Sequence, residues 1–370
     1  MIPVFRPSMG EEEIRAIEEV LNSGWIGLGP KTKQFEEEFA KYIGVKHAVA
    51  VNSATAALHL SLVSLDINAG EVIVPAITFV STALAANYVG AKPVFADVEE
   101  DTLNISVENI KKKITNKTKA IIPVHYGGYP CKMDEINELA EKHDIKVIED
   151  ASHACGSVYK GKKAGALADL GCFSFHAVKN LATGDGGMIT TNNEKIKEKL
   201  HRLRWCGITK DTFSRTKKNY SWYYEVPEIG FKYHMNDITA AIGLVQLKKL
   251  EQNNEKRRRI VKQYNEVFSK TSWIEVPKEE PNTKSAMHNY VIKVKETKDR
   301  DNLIEYLAKK EISASVHYMP LHLHPIYRQY KAKVPVAEKV WKRLVTLPLY
   351  PDMTEEETEK VIDAVKNFKK

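Results

Sequence analysis

The sequence is sparing with cysteine and has no long apolar run. Its four cysteines, Cys131, Cys155, Cys172 and Cys206, stand far apart in 370 residues with no C-x-x-C pair. That spacing excludes a zinc ribbon or a disulfide-stapled scaffold, and it suits a reducing, cytoplasmic compartment. No stretch approaches the uninterrupted apolar length of a membrane span. The opening MIPVFRPSMG lacks a basic stretch followed by an apolar one, so no signal peptide is expected. Charge of one sign is also in short supply: 55 basic residues face 48 acidic ones, a net +7. Binding nucleic acid asks for more charge and a recognisable module, and neither is there. The one dense basic run, Lys256-Arg257-Arg258-Arg259, follows a helical stretch rich in Glu and Gln and reads as a solvated helix face. Metal-ligand spacings, a Ser-His-Asp arrangement, internal repeats and low-complexity linkers are missing too, so no metal is expected. What remains is 43% apolar and 28% charged. That is ordinary for a soluble globular chain long enough for more than one domain. The mild positive balance suits a phosphorylated substrate.

Helix-like and strand-like segments alternate through roughly the first 250 residues. Residues 11–22 place Ile14, Ile17, Val20 and Leu21 on one helical face before Gly24, and residues 35–43 repeat the pattern before Gly44. Short apolar runs follow at His47–Val51, Val72–Pro75, Pro93–Ala96, Ala120–Val124, Lys146–Ile148 and Gly171–Phe175. Strands buried on both faces look like this, which predicts an α/β fold with a mostly parallel sheet covered by helices. A long helix is expected from about residue 238 to 269. Beyond it lies a smaller α/β unit, with strands at 288–294 and 313–319 and helices at 299–310 and 354–368. The expected division is a large domain over residues 1–245 and a small one over 246–370, with the N-terminal segment free to pack on the small one.

Ligands in open α/β sheets lie beyond the carboxyl ends of the strands. After His47–Val51 comes Asn52-Ser53-Ala54-Thr55-Ala56-Ala57, where small residues open a helix and offer N–H groups to an anion. Alone, this is also an ordinary helix cap. After Val72–Pro75 comes Thr78-Phe79, an aromatic that either stacks on a flat ring or fills the core. After Lys146–Ile148 comes Glu149-Asp150-Ala151-Ser152-His153. A buried Asp150 needs a partner, and a protonated pyridine nitrogen is one. His153, placed one helical turn further on, either contacts the same ring or packs. After Gly171–Phe175 comes His176-Ala177-Val178-Lys179-Asn180 and then the glycine-rich Thr183–Gly187. Ser174 lies within reach of a phosphate. An anion cradle, a stacking aromatic, a pyridinium partner and an amine nucleophile form the set that pyridoxal 5'-phosphate needs, bound as an imine on Lys179.

The chain resembles the DegT/DnrJ/EryC1/StrS family of sugar aminotransferases, within the fold type I (aspartate aminotransferase-like) enzymes. The segments that carry the resemblance are SGWIGLGPKTKQFEEEFAKYIG, VNSATAALHL, IVPAITFVSTALA, IIPVHYGGYP, VIEDASHACGS, FSFHAVKNLATGDGG, VHYMPLHLHPIY and LPLYPDMT, in that order over almost the whole chain. The resemblance implies roles at matching positions. Lys179 is the Schiff-base lysine, Asp150 the pyridinium partner, His153 a neighbour of the ring, and Phe79 the stacking residue. Thr55, Ala56 and Ser174 form the phosphate cradle. A homodimer is implied, with active sites at the subunit interface and a polar residue of residues 230–235 crossing over. Relatives often carry Asn in that segment, and this chain has Lys232 and His234. The implied reaction moves an amino group from glutamate to a keto-sugar nucleotide at C4 of a UDP-linked sugar, most like the UDP-4-amino-4-deoxy-L-arabinose–oxoglutarate aminotransferase type. Lipopolysaccharide or other polysaccharide precursors are the implied products. Trp25 and Tyr318 are candidates for the sugar-nucleotide pocket. Alternatives are a sugar C3 or keto-inositol acceptor, or a non-catalytic regulatory protein on the same fold. The retained Lys179, Asp150 and Ser174 weigh against that last reading.

Overall fold

A computed structural model describes residues 1–209 and 222–368. The strands in chain order are β1 His47–Val51, β2 Glu71–Pro75, β3 Lys92–Ala96, β4 Thr118–Ile121, β5 Lys146–Asp150, β6 Val158–Tyr159, β7 Lys162–Lys163, β8 Leu170–Ser174, β9 Gly187–Thr191, β10 Ile274–Glu275, β11 Thr283–Lys284, β12 Tyr290–Val294 and β13 Leu344–Leu347. Seven of them form one sheet in the order β1-β9-β8-β5-β4-β2-β3. Strands β3, β2, β4, β5 and β8 run parallel, and β9 is antiparallel to both neighbours, β8 and β1. The parallel strands are almost continuously apolar because helices cover both faces. A second, antiparallel sheet, β10-β12-β13, lies in the C-terminal part, and a small third sheet joins β11, β6 and β7.

Local chemistry sets the helix ends. Pro30 opens the helix Pro30–Ile43, whose glycine stop, Gly44, has φ +86°. The buried Asp237 carboxylate accepts the N–H groups of Gly29, Lys31 and Thr32 and the Thr32 hydroxyl, satisfying donors that a helix start leaves unpaired. Asp237 also begins the long helix Asp237–Phe268, capped by Asn236. That helix joins two cores. Ala240, Leu244, Leu247 and Leu250 pack with Phe35, Phe39, Phe173 and Phe175, and Ile260, Val261, Tyr264 and Phe268 pack with Tyr290, Leu303 and Val361. The N-terminal segment lies along the second core. Ile2 pairs with Ile312, and Val4 O accepts from Leu349 N at 3.0 Å.

Three expectations need correction. Residues 313–319 form no strand beyond a Ser315–Thr346 bridge; Leu344–Leu347 supplies the third strand instead. The basic run is not a solvated face. Arg257 is 3% exposed, and Arg258 donates to Ser285 O and pairs with Glu279, so only Arg259 faces solvent fully. No helix follows Asp150: residues 151–154 make a turn closed by Ala154 N donating to Ala151 O at 2.8 Å.

Candidate active site

Asp150 ends β5, where strand alternation separates it from its neighbour. The Glu149 carboxylate points into the opposite layer and accepts from Gly165 N, Leu167 N and His125, so its valences are taken up by the scaffold. Asp150 is 4% exposed, and its Oδ2 accepts from Thr82 Oγ1 at 2.8 Å while Oδ1 accepts from Ser152 N at 3.2 Å. A carboxylate with four lone-pair sites and two donors at this depth has room for a cationic N–H.

Lys179 lies in the turn that leaves β8, the strand beside β5. It is half-buried, and burial lowers its amine to about 8 while the Asp150 charge works the other way. A useful fraction of the amine is therefore unprotonated near neutral pH. Three imidazoles surround it. His153, His288 and His317 all sit below the ordinary histidine range, in each case first because of burial and then because of the nearby Lys179 charge or one another.

Phe79 follows β2 and is 57% exposed, its ring 6.2 Å from that of Tyr318. The Tyr318 hydroxyl lies 3.3 Å from His153 Nε2. Thr55 Oγ1 shares a hydrogen bond of 2.7 Å with Ser81 Oγ, which ties the start of the helix Ala54–Ser64 to the helix that carries Thr82. Ala56 N already donates to Ser53 Oγ at 3.1 Å. Ser174 pairs in register with Gly187, and Gly187 fits against the same helix start: an added Cβ would lie 2.6 Å from Ser53 C and 2.8 Å from Ala54 N. Only glycine lets β9 approach so closely.

The structure thus gathers Thr55, Ala56, Phe79, Asp150, His153, Ser174, Lys179 and Tyr318 at the carboxyl end of the sheet. Trp25 and His234 turn their side chains elsewhere, although the His234 backbone pairs with Val51 at the end of β1. They line a groove of about 290 Å³ with Leu28 and Trp205. The Trp25 indole donates to Leu28 O at 3.0 Å, and the His234 ring lies 4.3 Å from that of Trp205. Burial, then the charges of Lys232 and Arg204, lower His234 to about 4. Sequence reasoning missed Ser81, Thr82, Asn180, His288 and His317. The segment STALAANY offered Ser81 and Thr82 only as small polar residues opening a helix.

These residues suit pyridoxal phosphate. A buried carboxylate has spare valences and interacts with an amine of lowered pKa, an exposed aromatic follows the neighbouring strand β2, and hydroxyls stand at a helix start that a glycine lets β9 approach closely. A site of this kind beyond the carboxyl ends of a mainly parallel sheet defines a pyridoxal-phosphate-dependent aminotransferase of fold type I. The chain belongs to the DegT/DnrJ/EryC1/StrS aminotransferase family, whose model matches residues 7–366. The spore coat polysaccharide biosynthesis protein SpsC of Bacillus subtilis is 43% identical over 100% of this chain and 97% of its own length. Among solved structures, a Streptococcus pneumoniae protein described as a sugar aminotransferase, in its PMP form, is 34% identical with a TM-score of 0.94, covering 99% of this chain and 98% of that one. PseC of Helicobacter pylori, an aminotransferase involved in the biosynthesis of pseudoaminic acid, is 32% identical with a TM-score of 0.92, covering 98% of each chain. The chain is accordingly a pyridoxal-phosphate-dependent aminotransferase of this family.

Proposed function

We propose that the enzyme transfers the amino group of glutamate to a keto sugar carried on a nucleotide, at C4 of a UDP-linked sugar, in the cytoplasm. The observation that carries this reading is the buried Asp150 carboxylate at the end of β5, with only Thr82 and Ser152 as donors among the described residues, acting on the Lys179 amine in the turn that leaves the adjacent strand β8. Pyridoxal phosphate, when bound, supplies an aldehyde that condenses with amines and a ring that takes up the electron pair left at the substrate carbon. Lys179 holds the cofactor between turnovers, and Asp150 keeps the ring nitrogen protonated. Phe79 and His153 fix the ring from its two sides. Thr55 and Ser174 hold the phosphate with the N–H groups around Ala56. Lys179 Nζ removes the α-proton of glutamate, and in the second half-reaction it delivers a proton to the carbon that receives the amine. Tyr318 faces the sugar. Two chains form a dimer, and His234 of each reaches the phosphate held by the other, with Trp25 beside it. Relatives named for spore coat polysaccharide and pseudoaminic acid biosynthesis support a sugar destined for a surface polymer such as lipopolysaccharide.

The test is a panel of 4-keto and 3-keto nucleotide sugars and a keto-inositol, each incubated with glutamate. Release of 2-oxoglutarate is expected with a 4-keto UDP-sugar. Turnover confined to a 3-keto sugar or to the cyclitol overturns the proposed acceptor.

A further inference from the structure

We propose that His288 is a positioning residue for amino transfer, which holds the turn carrying Lys179 and the ring of His153 in one packed cluster. His288 is 2% exposed and stands just ahead of β12, in the C-terminal part of the chain. It is reached from both sides. Its ring centroid lies 4.4 Å from that of His153. On the other side the ring of Phe5 stacks on it, centroids 5.3 Å apart and planes within 3°.

Counting protons assigns the tautomers. Asn180, the residue after Lys179, donates from Nδ2 to Asn254 Oδ1 and to Ala286 O, each at 2.7 Å. Both amide protons are then used, and Asn254 Nδ2 in turn donates to Cys155 O, which fixes that amide's orientation. Asn180 Oδ1 is left as an acceptor, so His288 Nδ1, 3.0 Å away, carries the proton. His153 is the opposite case. Gly127 N donates to its Nδ1 at 3.4 Å, so its proton lies on Nε2 and is donated to the Tyr318 oxygen. The Tyr318 proton stays available to the substrate side. One imidazole on the smaller core therefore anchors the residue next to Lys179 through its edge, and through its face it anchors the histidine that sets the direction of the Tyr318 hydroxyl.

His288 also stands close enough to feel the charge of the half-buried Lys179 amine, and its buried ring is part of the protein matter that screens that amine. The groups facing that amine are Asp150 and His153 from the end of β5, His288 ahead of β12, and His317 from the segment before Tyr318. Only Asp150 among them is charged, so exclusion of water sets the amine's lowered pKa, with Asp150 opposing it. Shrinking His288 to alanine admits water, and the amine returns towards its ordinary range.

The inference rests on the role given above to Lys179, and its test can be read separately from that role. In the full-length chain prepared without cofactor, the reaction of Lys179 with acetic anhydride is followed against pH by mass spectrometry of its peptide. The wild-type midpoint is expected near pH 8. His288→Ala moves it up by about one pH unit, which cuts the free-base fraction at neutral pH about tenfold; in the loaded enzyme kcat falls severalfold, because the lysine and His153 are less well held, while KM changes little. His288→Gln, which can again donate to Asn180 Oδ1, recovers most of kcat. Phe5→Ala, made from the outer side of the stack, shifts both quantities the same way by a smaller amount; it decides the matter if His288→Ala does not fold. A folded variant that keeps the wild-type midpoint and kcat overturns the positioning role. A chain whose labelling behaves as described but which transfers no amino group overturns the functional reading alone.

Discussion

Thr82 is a small residue with a large duty: its hydroxyl is one of two donors that the described residues give the Asp150 carboxylate. Thr82→Val keeps the volume and removes the donor, leaving a buried carboxylate oxygen unsatisfied. It should cost about 1–3 kcal/mol in urea unfolding and weaken cofactor retention, whereas Thr82→Ser should restore both. Lys179 gives a second prediction at this scale. Its amine is lowered in the folded chain, from the ordinary 10.5 to about 8. Between these values the unfolded chain binds more protons, so cofactor-free protein gains stability as pH rises from about 8 to 10.5 and carries the full penalty below 8. Lys179→Met should flatten that slope and raise the melting temperature near neutral pH; a slope unchanged by the substitution would contradict the buried amine. The sequence placed Lys179, Asp150, Phe79, Thr55 and Ser174 at strand ends because strand ends follow from apolar runs. It was silent on His288, His317 and Asn180. Their roles depend on which segments the tertiary fold brings together, and a histidine in HNYVIKV has no local mark of its neighbours.

At the scale of elements, the parallel strands were legible because each is a run of branched or apolar residues with turn residues around it. Strand β9, GMITT, was not: it follows a glycine-rich turn, it is antiparallel, and its polar threonines hide its burial. SASVHYM alternates like a strand, yet in the structure His317 and Tyr318 of that segment turn towards the site. The long helix was legible from its period, but not that it buries Arg257 while exposing Arg259, since both lie in one basic run. Gly187 is where β9 earns its position. Gly187→Ala pushes a Cβ into Ser53 and Ala54 at 2.6–2.8 Å, and overpacking of this kind costs about 1–3 kcal/mol. The variant should melt lower and bind pyridoxal phosphate more weakly, and an unchanged affinity would mean that the helix start at Ala54 does not help to hold the phosphate.

At the scale of the molecule, the side chains of Trp25 and His234 lie in a groove they share with Trp205, while the His234 backbone pairs with Val51 at the end of β1. If His234 serves the partner's site, two inactive chains can rescue each other. Mixing Lys179→Ala with His234→Ala chains after unfolding and refolding should yield dimers with one intact site, formed by Lys179 of one chain and His234 of the other. Activity should return well above that of either variant alone, and a mixture as inactive as its parts would place His234 outside the partner's site. The division of labour over the described residues is simple: the parallel sheet presents the carboxylate, the amine and the hydroxyls, and the C-terminal part of the chain brings His288 and Tyr318 towards them. All of it depends on Lys179 carrying the cofactor. Borohydride reduction of the loaded enzyme, followed by digestion and mass spectrometry, tests this most directly. The pyridoxyl group should be found on the Lys179 peptide and on no other; a label on a different lysine, or none at all, would contradict the account.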